Sequence, residues 1–402
     1  MPVIITEEFK QASEIIDRIE QYGFQAYFVG GSVRDLLLDR KIGDIDIATS
    51  APPKVILELF EKVIPVGMEH GTVIVRHLHQ SYEVTTFRVD DDYSDQRHPD
   101  SVTFVKSIDH DLKRRDFTIN AIAMDKSGTI VDPFDGKTDI KNNIIRAVGD
   151  ANDRFMEDPL RIMRALRFSS QLGFSIEEQT LKAMKSAVSE IDSIAMERVV
   201  QETSKFFSGA YVNHGLYYFK KVKIEKHLPI LQENAHILHH MPKKLEPLNS
   251  FASVLALLHF IEPDISIGSW VKQWKCSNFI KSEAENLYEA LLNYKLNGLN
   301  RWLVYHLHEG NYEDFTTLVH LLFNETLTIN KVIQIENFLP IKSKKDLAIN
   351  GIDLNELFPD KSPGPWIGKT LAQIEKEVVY GNIMNRKNVL KDWIKWNLHE
   401  ID

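Results

Sequence analysis

Residues 28–50 read FVGGSVRDLLLDRKIGDIDIATS, and this stretch restricts the fold more than any other. An apolar run enters a Gly-Gly pair, a short amphipathic segment follows, and DIDIATS then alternates acid and apolar residues. The pattern predicts strand, tight turn, short helix and second strand. Strand side chains alternate faces, so Asp44 and Asp46 fall on one face, roughly 6.5 Å apart along the chain, while Ile45 and Ile47 enter the core. Two carboxylates held on one face make a hard-oxygen site suited to Mg²⁺, the ion that partners phosphates. Gly30 and Gly31 let backbone N–H groups approach a phosphate, and the helix starting near Ser32 adds its positive end. Arg34, in the first turn of that helix, is placed to clamp a triphosphate.

The rest of the first third extends this reading. AYFVGG, GTVIVRHL, YEVTTFRV and SVTFV are β-type runs separated by Gly, Asp and Pro, so residues 1–147 are expected to form a sheet with a few helices. Within EEFKQASEIIDRIEQ, Phe9, Ala12, Ile15, Ile16 and Ile19 recur at helical spacing, which predicts a structural N-terminal helix. Glu83 in YEVTTFR is a possible third carboxylate, but an exposed glutamate at a strand end is the preferred reading. From about residue 150 the strand signals nearly vanish, and segments such as AMERVVQETSKFF and SEAENLYEALLNYKL repeat every 3.6 residues. Turn signals divide this helical part into 148–208, 209–300 and 301–402.

Bulk composition narrows the function classes. A net charge of −9 argues against a protein that coats nucleic acid indiscriminately, yet leaves room for a local basic cleft. The single Cys276 excludes an internal disulfide and a multi-thiolate metal site. No apolar run approaches the ~20 residues of a membrane span, so a cytoplasmic location is expected. His236, His239 and His240 read as a solvated helix end. Trp366, Trp393 and Trp396 read as core anchors, and the lysines of FKKVKIEK and KSKK as exposed faces or phosphate contacts.

Two later segments carry charge in an apolar setting. KRRDFTINAIAM predicts a helix capped by Asp116, with Asp116 and Asn120 four apart on one face and Arg115 beside them. EDPLRIMRALRF predicts a helix in which Asp158, Arg161 and Arg164 form a slanted row and apolar residues fill the other directions. Buried arginines need anionic partners. A bound triphosphate would supply them for Arg164 and Arg167; a salt-bridged helix wedged between domains is the alternative.

GGSVRD followed by DIDIAT resembles the nucleotidyltransferase superfamily of DNA polymerase β. The further order RRDFTINA, EDPLRIMRALRF, ERVVQE, together with PGPWIGKTLAQIEKEVVYG near the C-terminus, resembles the class II tRNA nucleotidyltransferases, the CCA-adding enzymes, over the whole chain. This implies an α+β fold: a polymerase-β-like head with a small, mainly antiparallel sheet (1–147), then all-α neck (148–208), body (209–300) and tail (301–402). It implies template-independent addition of C, C and A to tRNA lacking all or part of its 3′ CCA, from CTP and ATP, with Asp44 and Asp46 as the catalytic Mg²⁺ ligands of a two-metal in-line transfer. Nucleotide contacts are expected from Gly31, Arg34, Arg115, Asp158, Arg161, Arg164 and Arg167, and ribose contacts from Asp116 and Asn120.

Asp158 and Arg161 are expected to read the base, with Glu157 orienting Arg161. Cytosine and adenine share an amino donor beside a ring-nitrogen acceptor, which a carboxylate and a guanidinium match; uracil and guanine reverse that pattern. Poly(A) polymerases share the head motifs but usually carry a Gly-Arg-Arg-Phe type segment where this chain reads GMEHGTVIV, and CC-only enzymes lack a loop that DDDYSDQRHPDSV, residues 90–102, supplies here. Those two activities are the alternatives. The oligomeric state stays open, a homodimer included.

Overall fold

The computed structural model describes residues 2–90 and 101–397. Most of DDDYSDQRHPDSV, residues 91–100, lies outside the described residues. The chain divides into two compact units, 1–235 and 236–402.

The first unit opens with α1 (Glu7–Gln21), which buries Phe9, Ala12, Ile15, Ile16 and Ile19, the residues its periodicity selects. Then come β1 (Ala26–Val29), α2 (Gly31–Leu37), β2 (Asp46–Thr49), α3 (Pro53–Leu59), β3 (Val63–Pro65), β4 (Thr72–His77) and β5 (Gln80–Thr86). The ribbon of β6 (Arg88–Asp90) and β7 (Val102–Phe104) follows, with α4 (Ile108–Lys113), β8 (Ala123–Met124), β9 (Ile130–Val131) and α5 (Gly136–Asn142). One sheet takes the order β3-β4-β5-β2-β1-β8-β9. Only β2 and β5 run parallel; every other neighbouring pair is antiparallel, so the sheet is small and mainly antiparallel. α1 covers one face, with Phe9 edge-on to Phe28 at 4.8 Å. On the other face Val29, Ala48 and Ala123 pack with Ile108 and Leu112 of α4.

Helices α6 (Ala151–Glu157), α7 (Leu160–Leu172), α8 (Glu178–Ala187), α9 (Met196–Phe207) and α10 (Val212–Val222) complete this unit. EDPLRIMRALRF is therefore not one helix. Asp158 is extended (φ −143°, ψ 97°) between α6 and α7, and Pro159 caps α7. A proline disfavours the helical region for the residue before it, so the row of charges is split at that point. KRRDFTINAIAM departs as well: Asp116 caps no α-helix. Thr118–Asn120 makes a single 3-10 turn, and Thr118 N–H donates to Arg146 O while Val148 N–H donates to Asp116 O. The backbone here is used in strand-like pairing with 146–148, which a continuous helix would forbid.

The second unit is helical. Phe251–Ile261 is buried from Phe251 through Leu258 and packs on the long helix Asn278–Asn297. Trp366 is buried, but Trp396 is 85% exposed, contrary to its expected place in the core. Among the described residues no helix is long and apolar enough to cross a membrane.

Candidate active site

The carboxylate strand begins one step later than its pattern suggests. β2 starts at Asp46, because its antiparallel partner β1 ends at Val29, opposite Asp46, and the chain turns away at Gly30. Asp44 precedes the strand and is exposed. Ile45 and Ile47 are buried as expected. Glu83 is exposed as expected but lies within β5, in register beside Asp46, and not at a strand end. Burial pushes the Asp46 carboxyl up to about 6, and the charges of Glu83 and Asp44 push the same way against the opposing pull of Arg115.

Gly30 has φ +73°, ψ −134°, a conformation closed to side chains. A Cβ there would meet Arg115 Nη1 at 3.0 Å and Asp46 Oδ2 at 4.0 Å. Its N–H donates to Ile122 O at 3.3 Å, so this glycine brings Arg115 close to the carboxylate and does not offer its amide to a phosphate. The helix begins at Gly31, one residue before Ser32.

A cavity of about 590 Å³ opens on this point. It is lined by Gly31, Arg34, Asp46, Arg115, Asp116, Asn120, Asp158, Arg161, Arg164 and Arg167, so of the candidate residues only Asp44 is outside its lining. Gly30, Arg114, Phe168, Gln171, Arg198 and Lys205 line it too. Eight basic side chains face three carboxylates in the lining, a strong local reversal of the chain's net charge of −9.

Buried carboxylates hold the cations in place. Arg34 Nη1 donates to Asn120 Oδ1 at 2.6 Å, and its Nε donates to Asp35 at 2.9 Å. Asn120 Nδ2 donates to Asp116 Oδ1 at 3.1 Å, and Arg164 Nε donates to Asp116 Oδ2 at 2.7 Å. Burial opposes charge on Asp116, yet Arg164 and Asn120 hold its carboxyl down to about 2. The fully buried Asp111 accepts from Arg114 at 2.8 Å and Arg115 at 3.1 Å.

The two residues expected to read the base are not paired with each other. Arg161 Nη1 donates to Glu157 Oε2 at 2.6 Å, the orienting contact anticipated, and Nη2 donates to Arg114 O at 3.1 Å. Asp158 accepts from Arg198 Nη2 at 2.9 Å and from Leu160 N–H at 3.1 Å. Arg167 Nη1 donates to Glu202 Oε1 at 3.4 Å, while its Nε, 3.2 Å from Glu202 Oε2, is not aligned as a hydrogen bond. Burial lowers its guanidinium to about 10, despite Glu202 and with Arg164 repelling it. A desolvated cation with its Nε left without a hydrogen bond favours an added anion.

Residues 26–146 match the model of the poly A polymerase head domain, 173–241 that of the "Probable RNA and SrmB-binding site of polymerase A", and 249–394 that of tRNA nucleotidyltransferase domain 2. The CCA-adding enzyme of Oceanobacillus iheyensis is 44% identical over 395 residues, 98% of this chain and 99% of its own. The chain belongs to the CCA-adding enzymes. The CCA-adding enzyme of Enterococcus faecalis is 41% identical over 97% of both chains. The crystal structure of the Bacillus stearothermophilus CCA-adding enzyme in complex with CTP superimposes with a TM-score of 0.86 at 36% identity, covering 98% of this chain and 99% of that one.

Nucleotidyltransferases of this family depend on a divalent metal. Among the described residues no three His, Cys, Asp or Glu side chains gather closely enough to hold one by themselves. The donors nevertheless fit a hard cation: Asp46 is disfavoured as an anion by burial and by the charges of Glu83 and Asp44, a conflict that a divalent ion relieves.

Proposed function

We propose that this CCA-adding enzyme completes the 3′ end of tRNA in the cytoplasm, adding C and A from CTP and ATP without a nucleic-acid template. The observation that carries this reading is one cavity holding Asp46, the arginine group around Arg164 and the Asp158/Arg161 pair together. Asp46 and Asp44, with Glu83 beside them, would hold Mg²⁺. When bound, that ion supplies Lewis-acid activation of the primer hydroxyl and charge neutralisation at the departing pyrophosphate.

The chain's own residues do the rest. Arg34, Arg115, Arg164 and Arg167 bind the triphosphate, and Asn120, aligned by Asp116, meets the ribose. Asp158 accepts from the amino group of cytosine or adenine, and Arg161 donates to the ring nitrogen. Carboxylates have about four lone-pair positions, so Asp158 retains acceptor capacity beside its contacts to Arg198 and Leu160. UTP and GTP present the opposite pattern, leave buried polar groups mispaired and are rejected. Residues 148–208 act as the base-reading neck, and 209–300 and 301–402 as the body and tail that hold tRNA.

Incubation of the purified chain with tRNA lacking its 3′ CCA, Mg²⁺ and each labelled nucleotide tests this. Incorporation limited to C and A supports it. Long A tracts would favour poly(A) synthesis, and arrest after two C residues would favour CC addition.

A further inference from the structure

Phe168 lies in α7 at the wall of the cavity, and the binding roles above leave it without a task. The residue is 4% exposed, and its ring is held edge-on by Phe117 at 5.9 Å and 86°. Three guanidinium carbons surround it, those of Arg167 at 4.3 Å, Arg34 at 5.2 Å and Arg164 at 5.6 Å from the ring centroid. All three are inside the ~6 Å range in which an aromatic quadrupole attracts a cation.

Arg34 comes from α2 and Arg164 and Arg167 from α7, and each is ion-paired with a different carboxylate: Arg34 with Asp35, Arg164 with Asp116 and Arg167 with Glu202. Like charges so close repel one another, and no single carboxylate among these ion pairs contacts all three. The ring is the one group that all three share among these contacts. We infer that Phe168 is a positioning residue that gathers Arg34, Arg164 and Arg167 into a preformed receptor for the triphosphate moiety of the incoming nucleotide. The inference rests on the proposed nucleotide site and adds to it an aromatic hub that contacts the cations rather than the nucleotide. Preorganisation of this kind contributes to affinity because the cations need not be assembled on binding. The benefit grows with the number of phosphates bound, whereas a ring acting as plain core packing would affect every nucleotide alike.

Calorimetric titration of the full-length chain with CTP and with CMP separates these cases. Phe168→Leu keeps an apolar side chain but removes the quadrupole. It is expected to weaken CTP binding about tenfold while CMP changes less than about twofold, and to raise KM for CTP with kcat little altered. Phe168→Tyr, which keeps the ring, should restore CTP binding to within about threefold. If thermal melting shows that Phe168→Leu does not hold the fold, the same comparison is read on Phe168→Met. Unchanged CTP affinity, or an equal loss for CTP and CMP, would overturn the inference while leaving the nucleotide site standing. Failure of the unaltered chain to bind CTP would overturn both.

Discussion

Asp116 ties a single side chain to the pH response of the whole unit. Its folded pKa of about 2 lies below the unfolded carboxylate value of ~3.9, so the charged form is favoured by folding. The resulting stability is fully present above pH ~4 and is lost as pH falls toward 2, with a size on the order of 2 kcal/mol and about half of it gone by pH 3. Asp116→Asn should therefore be less stable than the unaltered chain at pH 6, and the gap should narrow by pH 3 in urea unfolding; a gap that stays constant would contradict the ion-pair account. Asp158→Ala should lower discrimination of CTP over UTP by roughly a hundredfold. Because it also strands Arg198, a stability loss of about 1–3 kcal/mol is expected alongside. Asp44→Ala separates function from folding differently: the residue is exposed, so unfolding should shift by less than about 0.5 kcal/mol while incorporation is abolished.

At the level of elements, the strand–turn–helix–strand at 26–49 was legible because its signals are local: Gly30 at the turn, Ile47 in the core and Asp46 facing the cavity. Arg198 and Glu202 were not assigned there, because they reach Asp158 and Arg167 from α9 across 40 and 35 residues, and no spacing rule reports such a contact. The start of β2 at Asp46 depends on where β1 stops, a pairing that single-strand alternation does not reveal. Pro159 was visible, yet the three-residue charge period outweighed it in the helix reading. The break it makes has a consequence: Pro159→Ala should let α6 and α7 merge and carry Asp158 away from its contact with Arg198. CTP-over-UTP selectivity should fall, and stability should drop by about 1–3 kcal/mol as Arg198 loses its carboxylate, as measured by paired incorporation and melting. Gly30→Ala should cost about 1–2 kcal/mol from its left-handed φ alone and displace Arg115.

Across the whole chain, acidity and a nucleic-acid substrate are compatible because eight basic side chains against three carboxylates line one cavity of a molecule whose net charge is −9. Such a protein should hold tRNA through a limited set of cations, so affinity should fall with salt, but nonspecific coating of RNA is not expected. Membership of the CCA-adding enzymes was readable from five ordered motifs, since each contributes side chains to that cavity or to its support. The central claim is that Asp158 and Arg161 select the base in the absence of a template. The most direct measurement is incorporation of CTP, ATP, UTP and GTP, each supplied singly with Mg²⁺, onto tRNA ending before its CCA and onto tRNA ending in CC. The account predicts C on the first substrate, A on the second, and U and G on neither; equal use of UTP by the unaltered chain would contradict it.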